Sequence, residues 1–459
     1  MTTTAQLRHA PSPVRRARGF RRPTRGVLAR VVLRAAVPLG AVAVAAFWYS
    51  GARPQTTPAV LFANGGELCG LLGSYLVCVL LVLVSRAPWV ERVFGLDHLV
   101  GWHRSLGTTV VLLVGTHVVL ASVGGVFRDS NPLWAEVPHM LVTVPDLEAG
   151  WVGTGLFLLG GLASSRVLRR VLRYETWWTL HLALYVGIYL GFWHQLTAGF
   201  HFVSNPAARL AWILLYSAAG ATVVTWRVIR PLWRLRRHVF QIEKVVAETP
   251  RTTSVWLVGD HVEELGVRAG QFFLVKFLTF GHLVTAHPYS VSGTIDGRIR
   301  FTIGHLGNHS SAVGRLRVGT HVLLEGPFGR FTAERSRAEK LLLVAGGAGV
   351  GPIRALAEEL DRAGRDVVVL HRASTPEELA LGGELGIALE HRYIPLVGRR
   401  KELGYDPLGH RNVARQVPDV AEREVFFCGS PGMADTLLRT CRKLRIPPQA
   451  VHFEELSFS

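Results

Sequence analysis

The sequence predicts a bundle of six membrane-spanning helices followed by a soluble α/β portion. Three observations predict it. Apolar runs, each close to the roughly 20 residues a spanning helix needs, recur six times before residue 230. Beyond Arg237 the pattern changes to short alternating segments. Near residues 341–356 an apolar strand runs through a glycine-rich turn into a helix.

The bulk numbers agree. A chain of 459 residues is long enough for two or three domains. Hydrophobic residues make up 49%, and mean hydropathy is +0.27. That mean conceals a membrane-like first half and a soluble second half. The formal net charge of +18 lies largely in the N-terminal tail and in loops between apolar runs. This placement reads as orientation in a membrane and attraction to anionic lipid. No nucleic-acid motif accompanies it. Cys69, Cys78, Cys428 and Cys441 show no zinc or iron–sulfur spacing, which suits a reduced, cytosolic soluble half.

Residues 1–28 carry seven arginines, from Arg8 to Arg25, and read as a basic cytoplasmic tail. A twin-arginine export signal at Arg21–Arg22 is disfavoured, because the following apolar run is long and lacks a clear cleavage site. The runs lie near 29–50, 67–85, 105–124, 150–168, 177–197 and 207–229. Loop charge alternates. Arg86, Arg92 and Arg104 follow the second run, and Arg166, Arg169, Arg170 and Arg173 follow the fourth. Residues 125–149 are acidic on balance, with Asp129, Glu136, Asp146 and Glu148. Arg227, Arg230, Arg234, Arg236 and Arg237 close the sixth. The positive-inside rule then places both ends in the cytoplasm of an integral protein of a bacterial-type cell membrane.

Four histidines fall within or beside these runs: His103 and His117 with the third, His181 and His194 with the fifth. An ionisable group at such depth is costly and is a functional candidate. Both runs cross in the same direction. At 1.5 Å per residue, the members of each run are separated by roughly 20 Å. Matching depths give an inner pair, His103 with His181, and an outer pair, His117 with His194. Two bis-histidine haems fit such pairs. A step of 14 residues keeps His103 and His117 near one face, but 13 residues leave His181 and His194 about 140° apart. Either the fifth helix is irregular near Gly187 or Gly191, or the two sites are offset laterally. His98, His139 and His201 are read as non-ligands, the last two as candidates to face a substrate on the outer side.

In the soluble half, residues 238–248, 252–259 and 298–304 alternate as β-strands. HPYSVSG (287–293), LGNHSSAV (306–313) and EGPFGRF (325–331) follow in the chain. In LLLVAGGAGVGPIRAL, Gly346, Gly347, Gly349 and Gly351 let a backbone approach phosphate at a helix N-terminus. Strands at 366–374 and 425–433 alternate with helices, which implies a parallel sheet.

With these motifs in this order, the chain from about residue 65 onward resembles the ferric reductase and NADPH oxidase superfamily. Its soluble half resembles the ferredoxin–NADP reductase family. The resemblance implies a six-helix transmembrane haem-binding bundle (29–230), an antiparallel β-barrel FAD domain (236–335) and an α/β parallel-sheet NAD(P) domain (336–459). In HPYS, it implies that Tyr289 packs on the flavin, that Ser290 bonds near its reactive nitrogen, and that His287 and Pro288 help to bind it. Ser310, with Gly307 and Asn308, would hold the FAD pyrophosphate. The stretch Gly346, Gly347, Gly349, Val350, Gly351, Pro352 would bind the dinucleotide, with Gly351 standing where the family commonly has Thr. Cys428 and Gly429 would approach the nicotinamide, with Pro431 and Met433 beside them, and Phe458 would cover the flavin. Arg372 and Ser374 would lie at the adenosine ribose, with Arg399 and Arg400 nearby. Guanidinium groups suit a 2′-phosphate, which favours NADPH over NADH.

The function implied is electron transfer from cytosolic NADPH, through FAD and two b-type haems, to a small-molecule acceptor on the outer side, oxygen or ferric iron. The alternatives are a redox module feeding a quinone or a separate periplasmic partner, and a non-catalytic haem carrier. No protein partner is specified, and no calcium-binding loop is present.

Overall fold

The computed structural model describes residues 25–52, 54, 57–279 and 286–455. The apolar runs of the first half form α1 (Arg25–Gly51), α2 (Pro58–Val84), α3 (Leu96–Asp129), α4 (Leu147–Ala163), α5 (Tyr174–Ala198) and α6 (Pro206–Val224). Two starts are written locally. Thr57 accepts from the Val60 N–H and Asn205 from the Ala208 N–H, each followed by a proline in the first turn. The sixth helix continues through a π-helical turn, Thr225–Ile229, into the arginine-rich helix Arg230–Arg237.

Among the described residues, four helices are long and apolar enough to cross a membrane: Val31–Gly51, Pro58–Val84, His98–Asp129 and Pro206–Arg234. The expected six are therefore not all matched by length and composition. α4 has 17 residues. At 1.5 Å each this gives about 25 Å, short of the roughly 30 Å hydrocarbon core. α5 has 25 residues, but Trp177, Trp178, Tyr185, Tyr189, Trp193 and two histidines dilute its apolar character.

Glycines bring neighbouring helices into contact. A Cβ on Gly66 of α2 would lie 3.1 Å from the Ala121 nitrogen of α3. One on Gly187 of α5 would lie 3.2 Å from the Gly153 carbonyl oxygen of α4. Small residues permit such close backbone approach in membrane bundles.

Six antiparallel strands follow: β1 (Phe240–Thr249), β2 (Thr252–Gly259), β3 (Phe272–Phe277), β4 (His287–Ile295), β5 (Arg298–Gly304) and β6 (His321–Phe328). They close in the order β1-β2-β5-β4-β3-β6 around Phe240, Leu257, Phe273, Ile299 and Phe301. Five parallel strands complete the chain: β7 (Lys340–Gly346), β8 (Asp366–Ala373), β9 (Tyr393–Val397), β10 (Glu424–Gly429) and β11 (Val451–Glu455). Their order is β11-β10-β7-β8-β9. β7 is apolar at successive positions because both faces are covered. Leu341 and Leu343 pack with α7 (Val350–Arg362) and α8 (Gly382–Leu389), whereas Leu342 and Val344 pack with α9 (Pro431–Lys443).

The helical bundle meets the barrel at β6. The Gly329 N–H donates to buried Glu91 at 3.1 Å, and Arg330 donates to the Val93 carbonyl at 2.9 Å. Arg86 pairs with Glu325. Leu96, at the start of α3, is buried with Phe272, Leu274 and Phe328. The cytoplasmic edge predicted for α3 is thereby fastened to the barrel.

Candidate functional site

α3 and α5 bring His103 and His181 together, with ring centroids 6.0 Å apart and ring planes at 78°. A metal–nitrogen bond of about 2 Å on each side would separate two coordinated imidazoles by roughly this distance, centre to centre. Trp177 stacks on His181 at 5.3 Å and 23°. Ser164, at the end of α4, accepts from the Trp177 indole at 3.2 Å and lies 3.4 Å from His181 Nδ1. His103 Nδ1 is buried with no hydrogen-bond partner among the described residues.

The outer histidines sit against glycines. His117 Nδ1 lies 2.8 Å from the Gly66 carbonyl. A carbonyl can only accept, so Nδ1 carries the proton and Nε2 is left with its lone pair. A Cβ on Gly70 would stand 3.0 Å from His117 Nδ1, and one on Gly150 3.2 Å from the His194 ring. His194 Nδ1 is buried without a partner among the described residues. α5 is α-helical throughout. An irregularity near Gly187 or Gly191 is therefore absent.

Among the described residues, no group of three or more His, Cys, Asp or Glu could hold a bare metal ion. Paired imidazoles instead suit a metal that brings its own equatorial ligands. These residues fit haem in donor type and, for His103 and His181, in ring separation. His139 lies 3.7 Å from Asp129, and His201 is bonded to Glu67 and Trp48, so neither competes as a ligand. His98 is exposed.

In the parallel sheet, β8 and β10 flank β7 on opposite sides, which makes the carboxyl end of β7 a topological switch point. The turn Gly347–Gly349 and the N-terminus of α7 lie there. Gly347 has φ +56°, a conformation glycine adopts without strain. A Cβ on Gly349 would meet the Cys428 carbonyl, and one on Gly346 would meet Met433. These residues thus lie together, with Gly429 ending β10 and Pro431 opening α9. Val350, Gly351 and Pro352 are buried in the first turn of α7. Gly351 faces the barrel, where a Cβ would lie 3.2 Å from Ser292 and 3.4 Å from Thr302. A larger side chain would crowd that contact. Burial pushes the Cys428 thiol well up, so it stays protonated.

On β4, the His287 ring lies 6.2 Å from Tyr289 and 5.0 Å from His309. Burial pushes the Tyr289 phenol up to about 12. Pro288 and Ser290 stand opposite Leu274 and Phe272 of β3. Ser310 differs from expectation. Its hydroxyl accepts from the Leu306 and Gly307 N–H groups at 2.9 and 3.0 Å and lies 3.1 Å from the Gly307 carbonyl. It caps the short helix Asn308–Ala312, and its hydrogen-bonding capacity is taken up locally. Arg372 also turns inward, donating to the carbonyls of Ala373, Leu396 and Gly398. The Ser374 N–H donates to Glu378 at 3.1 Å. Arg400 pairs with Asp406 at 3.1 Å, and Arg399 stays exposed beside Glu402. Phe458 lies outside the described residues.

Three features escaped sequence reasoning. Trp177 stacks on His181 from one turn earlier in α5. Glu67 and His201, 134 positions apart, form one bonded pair. Arg300 of β5, 3% exposed, holds Glu384 of α8 through bonds of 2.6 and 2.9 Å, with Arg354 3.0 Å from the same carboxylate. Nothing in the local pattern announces any of them.

Residues 69–192 match the family described as ferric reductase like transmembrane component. The glycine betaine monooxygenase reductase subunit of Chromohalobacter salexigens is 29% identical over 226 residues, 43% of this chain and 58% of that protein. An NADPH oxidoreductase of Mycobacterium tuberculosis is 26% identical over 249 residues, 51% of this chain and 63% of that protein. The chain therefore spans about 60% of the length of these relatives. Among solved structures, the ferredoxin reductase in carbazole 1,9a-dioxygenase aligns with a TM-score of 0.42 at 24% identity, covering 48% of this chain and 69% of that one. Residues 69–192 thus resemble a ferric reductase-like transmembrane component, and about half of the chain is similar to reductase proteins such as these.

Proposed function

We propose that this chain is an NAD(P)H-dependent oxidoreductase that moves electrons from cytosolic NADPH across the membrane to an outer acceptor, oxygen or a ferric chelate. The observation that carries the reading is the 6.0 Å approach of His103 and His181 on two helices of the bundle. In this reading α4 and α5 also cross, both termini are cytoplasmic, and each histidine pair holds one b-type haem.

When bound, nicotinamide supplies a hydride, flavin converts electron pairs to single electrons, and haem iron carries one at a time. Gly346, Gly347 and Gly349, with the N-terminus of α7, hold the dinucleotide phosphates. His287, Tyr289 and Ser290 hold FAD against the barrel. Trp177 and Ser164 orient His181, and the Gly66 carbonyl orients His117. The preference for NADPH rests on Arg399 and Arg400, 69% and 51% exposed, since Arg372 is bonded to carbonyls.

Haem and flavin counts on the purified full-length protein, with a reduced-minus-oxidised spectrum, test the reading. Two haems and one flavin per chain are expected. None, or a single haem, overturns it. Superoxide-dependent dye reduction against ferrozine-detected ferrous iron then identifies the acceptor.

A further inference from the structure

His201 is 5% exposed in the short helix Phe200–Val203, just after α5. It reaches two other helices. Its Nδ1 lies 2.8 Å from Glu67 Oε1 of α2, and its Nε2 lies 3.1 Å from the Trp48 carbonyl of α1. The carbonyl can only accept, so Nε2 carries a proton. The contact with Glu67 then holds one further proton between imidazole and carboxylate. Trp48 closes the arrangement, since its indole N–H donates to the Asn64 carbonyl at 3.0 Å. Phe47 and Phe200 flank the imidazole with ring centroids at 5.1 and 5.6 Å.

The two α2 residues caught in this way, Asn64 and Glu67, bracket Gly66. Its carbonyl is the one that accepts from His117 at 2.8 Å. Gly66 has little room to shift, because a Cβ there would already lie 3.1 Å from the Ala121 nitrogen. A polar group inside a membrane bundle is costly unless it is bonded, and such residues mark functional positions. Hydrogen-bonded partners behind a ligating histidine set its tautomer and ring orientation.

We propose that the Glu67–His201 pair is a positioning device for the outer ligand: by tying α1, α2 and the Phe200–Val203 helix together, it fixes the Gly66 carbonyl that orients His117. The inference rests on the reading of His117 and His194 as a haem site. Neither Glu67 nor His201 ligates the iron. Their effect reaches it through the Gly66 peptide, so it belongs to the outer site alone.

The test uses the full-length protein in lipid nanodiscs. His201→Ala and Glu67→Ala are compared with Glu67→Gln, whose amide N–H can still donate to His201 Nδ1. Haem count, the low-spin electron paramagnetic resonance signals and the midpoint potentials of both haems are measured. Both alanine variants should keep the inner haem signal and displace the outer one in g value and midpoint, or lose the outer haem. Glu67→Gln should retain the wild-type g value. Two haems with unchanged outer signals in both alanine variants would overturn the positioning role alone, as would equal displacement of both haems. Wild-type protein without haem would overturn the underlying reading as well.

Discussion

The imidazole of His103 lies 6.0 Å from that of His181, centroid to centroid, across the contact between α3 and α5. His103→Ala should lower the haem content from two to one per chain and leave reduction of flavin by NADPH unchanged. Haemochrome assay and stopped-flow absorbance check the two halves of this expectation. Retention of two haems would remove His103 from the ligand set.

The outer site has a steric test. Gly150 lies so close to His194 that a Cβ would stand 3.2 Å from its ring, whereas Gly155 has nothing within 4 Å. Gly150→Val should displace His194 and abolish the outer haem, and Gly155→Val should leave both haems. Equal spectra for the two variants would contradict the placement.

The nucleotide turn depends on Gly347 at φ +56°. A side chain there costs about 1–2 kcal/mol in backbone energy, and more for a β-branched one. Gly347→Val should slow NADPH-driven flavin reduction at least tenfold while chemical reduction of the haems proceeds as in the wild type. Anaerobic stopped-flow with NADPH and with dithionite separates these effects.

The barrel and the parallel sheet share the bridge from Arg300 to Glu384. Hydrogen bonding from Arg300 holds the Glu384 carboxyl below its ordinary value of 4.5. Its folded value is depressed, so its stabilisation is fully present above 4.5 and is lost as pH falls through the folded value. Glu384→Gln should cost about 1–2 kcal/mol, less than a fully buried pair because Glu384 is partly exposed. Thermal unfolding at neutral pH, with the rate of flavin reduction, measures both the stability and the domain alignment.

His371, fully buried in β8, is bonded through Nδ1 to the Tyr393 hydroxyl at 3.0 Å. Burial lowers it from 6.5 to about 4. Between those values the unfolded chain takes up a proton that the folded one refuses. Stability should therefore fall as pH drops from about 6.5 to 4 and level off below. His371→Gln should flatten that slope in a melting series across pH, and an unchanged slope would assign it to other groups.

Much of the architecture is legible one segment at a time. Thr57 and Asn205 announce helix starts because capping is a local bond. The run Leu341–Val344 announces a strand covered on both faces, and Gly346–Gly349 announces a tight turn between strand and helix, because these needs are met within a few residues. The four histidines are legible as two pairs at matched depths because depth follows from counting residues along a helix. The expected roles of Ser310 and Arg372 were not reliable guides. Which partner a hydroxyl or guanidinium takes depends on carbonyls that only folding supplies, Gly307 for one and Leu396 for the other.

By itself the sequence determined a basic, helix-rich apolar half, a soluble half with strands and a glycine turn, and four histidines at two depths. Tertiary structure alone decided that Trp177 stacks on His181, that Gly351 faces the barrel, and that His201 reaches Glu67. The reason is physical. Periodicity, capping and turn chemistry act over a few residues, whereas these contacts arise where backbones approach closely at Gly66, Gly153 and Gly187, and such approach depends on both partners at once.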